Sequence, residues 1–390
     1  MELRASLPGH APPGLCRDGG WRLKSAGSGG TGARQHAMDE SEAPQIGMEV
    51  DVVKPASLPD WDAQVRSLGD SGPFHSSGWA SVLCESYGFQ PSYFTGKRDG
   101  KLALVVPMML VDSMFSGRRL VSLPFSDYCD PIYPPKGSIH PLSELIINYA
   151  RSHSCKYVEW RCRQALFTNE PVWNTFYGHR IPLASEEAQL LSSFDDSTRR
   201  NIQKAKRSEV QIEVSTDLGA LREFYRLHCR TRRDHGIPPQ PFRFFLKIWE
   251  NVLRARQGFI ILARFRNEYI AASIFFHFCD KALYKFGAWD KCYQELRPNN
   301  GVLWEAIRVC KRRACSSLDL GRTDISDEGL RRFKLGWGAE EYVISYYRYD
   351  LVQGRFAAGR ETRRASSRML RKMPICLLRP IGALVYRHFA

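Results

Sequence analysis

The sequence predicts a mixed α/β (α+β) protein of two tandem modules, each a mixed, mostly antiparallel sheet flanked by helices, followed by a basic helical tail. Three observations carry this. Residues 258–337 read as a strand meander, a Gly-punctuated turn, a helix and a returning strand: FIILARF, YIAASIFFHF and ALYKFGAW, then Pro298-Asn299-Asn300-Gly301 opening VLWEAIRVCKRRACSS, then SLDLG. The first half has the same order and ends in a strand holding an acid and an arginine, Glu159 and Arg161 in KYVEWR, against Asp319 and Arg322 in SLDLGR, a weak internal repeat. At 390 residues, with 43% hydrophobic and 25% charged side chains, the chain suits two domains of about 100 to 200 residues with ordinary cores.

In order, residues 1–47 are rich in Gly, Ser, Ala and Arg without periodicity, so a disordered leader is expected. Gly27, Gly29 and Gly32 satisfy G-x-G-x-x-G there, but no strand precedes and no helix follows, so a dinucleotide site is not expected. Met38 and Met48 are alternative starts. The first module, 48–185, opens with a short strand near Met48 to Val53 and a helix around Trp61 to Leu68. A second helix over Ser76 to Tyr87 is capped by Ser76 or Ser77 and turns Trp79, Val82, Leu83 and Tyr87 inward. A hairpin through Asp99-Gly100, a strand in RRLVSLPF, the amphipathic helix HPLSELIINYARSHSC and the strand KYVEWR complete it. The second module, 186–350, begins with the basic segment DDSTRRNIQKAKR. A helix then buries Leu221, Phe224, Tyr225 and His228 and stops at Gly236; the next starts at Pro241 with Phe242, Phe245, Trp249 and Val252 as its stripe. The tail, 351–390, carries nine Arg or Lys residues against Glu361 alone, interleaved with Met373, Ile375, Leu377, Leu378, Ile381, Leu384, Val385 and Phe389. Such a segment either lies on an anionic membrane face or packs on the second module with a solvated basic side.

Fifty-six basic against 41 acidic side chains leave a net charge of +15, which favours encounter with polyanions such as RNA, nucleotide-linked substrates or acidic lipid. The eleven cysteines are scattered, with no C-x-x-C pair, and read as reduced thiols; no metal is expected. No apolar run approaches the roughly 20 residues of a membrane span, so the protein is expected to be cytoplasmic, or peripheral at the inner face of the membrane.

The helix after Pro298 begins beside strand ends, where free N–H groups and the helix dipole favour a phosphate or an oxyanion. Asn300 is the expected cap, and Gly301 would let a ligand approach the backbone, although such turns usually only cap helices. Arg322 and Asp319 sit at a strand end near this turn, to clamp a phosphate and orient an amine respectively, or to form an ion pair tying the strand to the following loop. Arg200, Lys204 and Arg207, at i, i+4 and i+7, form one cationic ridge, either for a nucleotide or RNA backbone or as a solvated face. Tyr284 and Tyr293 are candidate proton donors to a leaving group, though strand tyrosines mostly pack.

Several segments carry a resemblance. NIQKAKR, FYRLHCRTRRDHGIPPQPFRFF, RPNNGVLWEAI, SLDLGRT and GLRRFKLGWGAEE resemble the FemAB-like branch of the GNAT acyltransferase superfamily. FHSSGWASVLCESYGFQPSYF and GRRLVSLPFSDYCDPIY are similar to its amino-terminal module. The likeness covers about residues 48–350, and the overall pattern also resembles members associated with exopolysaccharide and protein-sorting loci. It implies two GNAT-like modules and N-acyl or aminoacyl transfer to an amine of an envelope precursor, in the family's best-known members from aminoacyl-tRNA to a peptidoglycan precursor. It implies that Lys334, in the family's Phe-Lys motif, places an ammonium at the donor's acyl end and that Phe333 stacks on a terminal adenine. Asp127 and Tyr128, in SDYCDP, fall where the family contacts its acceptor. The sequence departs from the coenzyme A-binding loop Q/R-x-x-G-x-G/A, because residues 297–302 lack its second small residue. The expected donor is therefore aminoacyl-tRNA ahead of acyl-coenzyme A, with no permanently bound cofactor. An acyl-coenzyme A N-acyltransferase acting on an amino sugar, and a non-catalytic membrane scaffold of a polysaccharide system, are the alternatives.

Overall fold

The computed structural model describes residues 22–23, 48–134, 139–359 and 367–388. The expected leader otherwise lies outside these residues; its one described piece, β1 (Arg22–Leu23), pairs in parallel with β2 (Glu49–Val53), a pairing not expected of a disordered leader. With β4 (Tyr93–Arg98) and β5 (Lys101–Val106), which turn back at Asp99-Gly100 as the sequence predicts, they form a four-stranded sheet. Helix α1 (Trp61–Arg66) precedes α2 (Ser77–Tyr87), where the Ser76 hydroxyl caps by accepting the Trp79 N–H.

All remaining strands join one sheet. The first half supplies β3 (Gln90–Pro91), β6 (Met109–Val111), β7 (Arg119–Val121) and, after α3 (Ile139–Ser152), β8 (Tyr157–Cys162). The second half supplies β10 (Gln211–Ser215) and the antiparallel meander β11 (Gly258–Phe265), β12 (Glu268–Phe278) and β13 (Lys281–Trp289). Helix α8 (Pro298–Arg312) then leads to β14 (Ser317–Asp324), parallel to β13. The central strands are apolar on both faces because both are covered. Ile274, Phe276 and Phe278 of β12 face α2, α6 (Leu218–Asp234) and α7 (Phe242–Ile248), while Ala271 and Phe275 face the side of α8, α4 (Glu187–Ser193) and α5 (Asp196–Arg207).

Two strands that sequence patterning did not reveal join the halves. β9 (Asn174–Pro182) enters between β14 and β15 (Glu340–Asp350), and β15 in turn pairs with β8. The order β13-β14-β9-β15-β8 thus exchanges strands between the halves, so the sheet crosses residue 185 without a break. Helix α7 departs from its predicted stripe. Its core face is Phe244, Phe245 and Ile248, continued by Val252 in the π turn over Trp249–Leu253; Phe242 and Trp249 lie at the margin of that helical arc and are only partly buried.

Beyond β16 (Arg355–Phe356), the described part of the tail holds α10 (Arg368–Lys372) and α11 (Ile375–Val385). No described helix is long and apolar enough to cross a membrane.

Candidate acyl-transfer site

The site is made where β13 and β14 part. Their parallel pairing covers only Lys281, Ala282 and Leu283 against Ser317, Leu318 and Asp319. Beyond it, Tyr284, Lys285, Phe286 and Gly287 are partly exposed although β13 is an interior strand. Each strand is irregular at the split. Lys285 is the extra residue of a bulge against β12, and the β14–β9 register breaks between Asp319 and Arg322, where Gly321 has φ +71°. Bulges re-aim side chains and leave backbone groups outside the ladder.

Into this wedge comes the loop after β7. A Cβ on Gly321 would lie 2.7 Å from the Asp127 Oδ2, so the glycine makes room for that carboxylate. The Cys129 N–H donates to the Arg161 carbonyl (2.8 Å) and Arg163 pairs with Asp130 (2.6 Å), fixing the loop to β8 and the residue after it. Arg322 Nε stands 3.6 Å from Asp127 Oδ1, and its Nη1 donates to the Tyr346 hydroxyl (2.7 Å), which donates to the Asp127 carbonyl (2.7 Å). Lys285 Nζ donates to the Phe125 carbonyl (2.6 Å) and lies over the rings of Phe74, Trp79 and Phe286. Burial would raise the Asp127 carboxyl, but Lys285, Arg322 and Lys334 outweigh it and hold it below the usual range.

Lys334, on α9 (Glu328–Leu335), is buried rather than solvated; its Nζ donates to the carbonyls of Gly321 (2.7 Å) and Arg322 (3.1 Å). An ammonium has three protons to give, so one remains uncommitted to these strand carbonyls. Burial pushes both Lys334 and Lys285 down to about 8, against the pull of Asp127 on each and of Asp319 and Asp327 on Lys334. Asp319 is buried, and both its oxygens are engaged. Oδ1 accepts the Gly321 N–H (2.7 Å), and Oδ2 accepts the hydroxyls of Tyr128 (2.8 Å) and Tyr342. Burial raises its carboxyl despite these donors. Arg322 pairs with Asp127 of the loop after β7, rather than with the loop that follows its own strand.

Of the residues singled out in the sequence, Lys334, Asp319, Arg322, Asp127 and Tyr128 meet in this cluster. Tyr284 borders it through its backbone, but its hydroxyl accepts from Ser273 (3.3 Å) and packs over Gly287. Tyr293 lies apart, donating to Glu268 (2.8 Å). Phe333 is half exposed, 6.3 Å from the Trp337 ring. Asn300 is not the cap of α8. Arg297, in the left-handed conformation, precedes Pro298 at the first helical position, and Asn300 is buried in the first turn. A Cβ on Gly301 would sit 3.1 Å from Ile212 Cδ1 and 3.5 Å from Ala205 Cβ, so close helix packing accounts for this glycine. Helix α5 spans the interval. Ala205 abuts Gly301 and Thr198 abuts Gly336, seven residues or about 10 Å apart along its axis. Arg200, Lys204 and Arg207 ride on this helix, Lys204 within 3.5 Å of Glu295. Sequence reasoning passed over Lys285, Tyr342 and Tyr346; a lone lysine inside ALYKFGAW was the available signal for the first.

Residues 192–342 match the family model described as "Acetyltransferase (GNAT) domain". That segment, in the second half of the chain, is similar to GNAT acyltransferase domains. The match supports acyltransferase activity for this segment. A solved structure titled "Crystal structure of FemX" is 12% identical with a TM-score of 0.59, over 73% of this chain and 94% of that one. A conserved protein of unknown function from Bacteroides thetaiotaomicron is 10% identical with a TM-score of 0.51, over 73% and 96%. At these identities the likeness to both structures is one of fold. No curated protein matches the sequence.

Gly178 offers a local test of the cluster. It sits opposite Tyr342 across β9 and β15, and a Cβ there would lie 2.2 Å from Tyr342 Cζ. Gly178→Ala is expected to push the Tyr342 ring off Asp319 and cost roughly 1–3 kcal/mol in thermal unfolding. Tyr342→Phe, which loses only the hydroxyl bond, should cost less.

Proposed function

We propose that the protein joins an acyl or aminoacyl group to an amine of a cell-envelope precursor, of the peptidoglycan or exopolysaccharide kind, with aminoacyl-tRNA as donor ahead of acyl-coenzyme A. The observation that carries the reading is the wedge between β13 and β14, which holds a partly exposed carboxylate among three cations. In this reading Asp127 attracts and orients the acceptor ammonium, which must lose a proton before it attacks. The C–N bond forms, the carbonyl oxygen takes up the negative charge beside Lys334 and Arg322, and the bond from the carbonyl carbon to the carrier then breaks. The carrier leaves as an alcohol or thiol with one of the acceptor's two released protons, and the other passes to solvent. Lys285 and Lys334, both near 8, are suited to pass these protons at neutral pH.

The donor preference rests on residues 297–302, with Gly301 packed on Ile212. The α5 ridge and Phe333 would bind the tRNA end, and the basic tail would hold the protein peripherally at the inner face of the membrane. Calorimetry with charged tRNA and with acetyl-coenzyme A tests the donor. Saturable binding of charged tRNA alone is expected, and tight coenzyme A binding reverses the assignment. The triple variant Arg200→Ala, Lys204→Ala, Arg207→Ala is expected to weaken tRNA binding and flatten its salt dependence by a log–log slope of up to about 2. An unchanged slope removes the ridge from the donor site.

A further inference from the structure

Helix α11 is apolar on two sides. One side docks: Leu378 and Gly382 are buried, Arg379 lies over the Tyr225 ring at 5.4 Å, and just past the helix the Tyr386 hydroxyl donates to the Pro238 carbonyl (3.1 Å). The contact is close enough that a Cβ on Gly382 would fall 1.9 Å from the Pro239 carbonyl oxygen. A helix lying on a protein surface ordinarily turns polar residues outward. Here the outward residues Cys376, Leu377, Pro380, Ala383 and Leu384 are all exposed, Leu377 by 55% and Leu384 by 71%.

A second apolar outcrop is tied to the chain just past this helix. The tip of the loop between β6 and β7 exposes Met114 by 92% and Phe115 by 80%. The Phe115 ring stands 4.7 Å from the His388 ring, Ser113 Oγ lies 3.0 Å from His388 Nδ1, and Arg119 donates to the His388 carbonyl (3.2 Å). Residues some 270 positions apart are thus held on one surface, and nothing in the core needs their exposed side chains. Arg379 is exposed on the helix and Arg387 just past it, Arg243 shares a depression with Ala383, Arg387 and the Lys247-paired Glu85, and Arg371 and Lys372 are exposed on the short helix before it. Exposed apolar groups that cluster mark an interaction surface, and cations beside them select its partner.

We propose that this composite face enters an anionic lipid bilayer, with Met114, Phe115, Leu377 and Leu384 at the acyl boundary and the arginines and lysine among acidic headgroups. The inference deepens the peripheral placement proposed above and rests on it. A second copy of the chain fits less well, because it would bring the same cations together. The test is co-sedimentation of the full chain with phosphatidylcholine vesicles with and without about 30% phosphatidylglycerol. Binding is expected to be at least about tenfold stronger with the anionic lipid and to fall between about 0.1 and 0.5 M salt. The double variant Phe115→Asp, Leu384→Asp should lose that binding about tenfold or more while its melting temperature and its transferase activity on a soluble acceptor stay unchanged. If the wild type binds anionic vesicles and the variant binds equally well, the composite face is wrong while the basic tail still holds the membrane. If the wild type does not bind, both fail. Concentration-dependent dimerisation that Leu384→Asp abolishes, without vesicle binding, assigns the face to a second copy and overturns the proposal.

Discussion

Lys334→Met is expected to lower kcat about a hundredfold or more while the chain still folds. The ammonium sits in a buried position between the two carbonyls of the β14 bulge and the carboxylates of Asp127 and Asp319. A preorganised cation facing a developing oxyanion acts in the transition state alone, and removing one such donor costs on the order of 10² to 10³ in kcat. The same substitution leaves the Gly321 and Arg322 carbonyls short of a donor, a penalty of about 1–3 kcal/mol. Stability and chemistry separate through pH. Burial drives the Lys334 value from 10.5 down to about 8, so the unfolded chain binds that proton more tightly than the folded one. The resulting penalty is full below about pH 8 and fades as the pH climbs toward the unfolded value, near 10.4. The stability of the wild type relative to Lys334→Met should therefore rise between about pH 8 and 10. Buried cysteines and tyrosines titrate alike in both proteins and cancel. A difference in unfolding free energy that stays flat over this range would mean that Lys334 is not held in the surroundings described. A kcat unaffected by Lys334→Met would remove it from the chemistry.

What could be read from the sequence divides along physical lines. The meander, α2 with its Ser76 cap, the Asp99-Gly100 hairpin and α6 were legible because local periodicity and turn chemistry determine them. β9 and β15 were not. NTFYGHRIP and EEYVISYYRYD mix polar and aromatic residues, and the partners that join them into the sheet lie more than about 130 residues away along the chain. Because β9 and β15 adjoin the wedge, the cluster was only half visible. Lys334 and Asp319 were named, but Tyr342, which reaches across Gly178 to bond Asp319, was not. The first turn of α8 was misread for a local reason: Pro298 favours the first helical position, which moves the start of the helix two residues ahead of Asn300.

One buried acid reinforces the strand exchange, and Glu159→Ala is expected to cost about 3–5 kcal/mol of stability, the largest loss of any single change considered. Glu159 of β8 is buried between two guanidiniums. Oε1 accepts from Arg161 Nε (2.9 Å) and Nη2 (2.8 Å), and Oε2 accepts from Arg348 Nε (3.1 Å) and Nη2 (2.5 Å). Arg348 belongs to β15, so the pair binds the first half's strand to the second half's. Both arginines have further partners, Arg161 over the Tyr346 ring at 5.1 Å and Arg348 over Trp173 at 4.1 Å, but neither ring carries the charge that balances them. Deleting the carboxylate leaves two half-desolvated cations side by side, whereas Glu159→Gln keeps hydrogen-bond acceptance and should cost less. Burial would raise the Glu159 carboxyl, but Arg161 and Arg348 overcome it and the net shift is downward. Its stabilisation is therefore complete above the unfolded glutamate value, near 4.3, and is lost as the pH falls through the lower folded value. Urea unfolding at neutral pH and again near pH 4 should show the gap between wild type and Glu159→Gln narrowing with acid. Because Arg161 also reaches the Ser126 and Leu123 carbonyls of the Asp127 loop, the loss should extend to the wedge. Glu159→Ala should depress turnover at temperatures where the chain is still folded, and a variant that melts early yet turns over normally below its melting point would show that the joint and the site are independent.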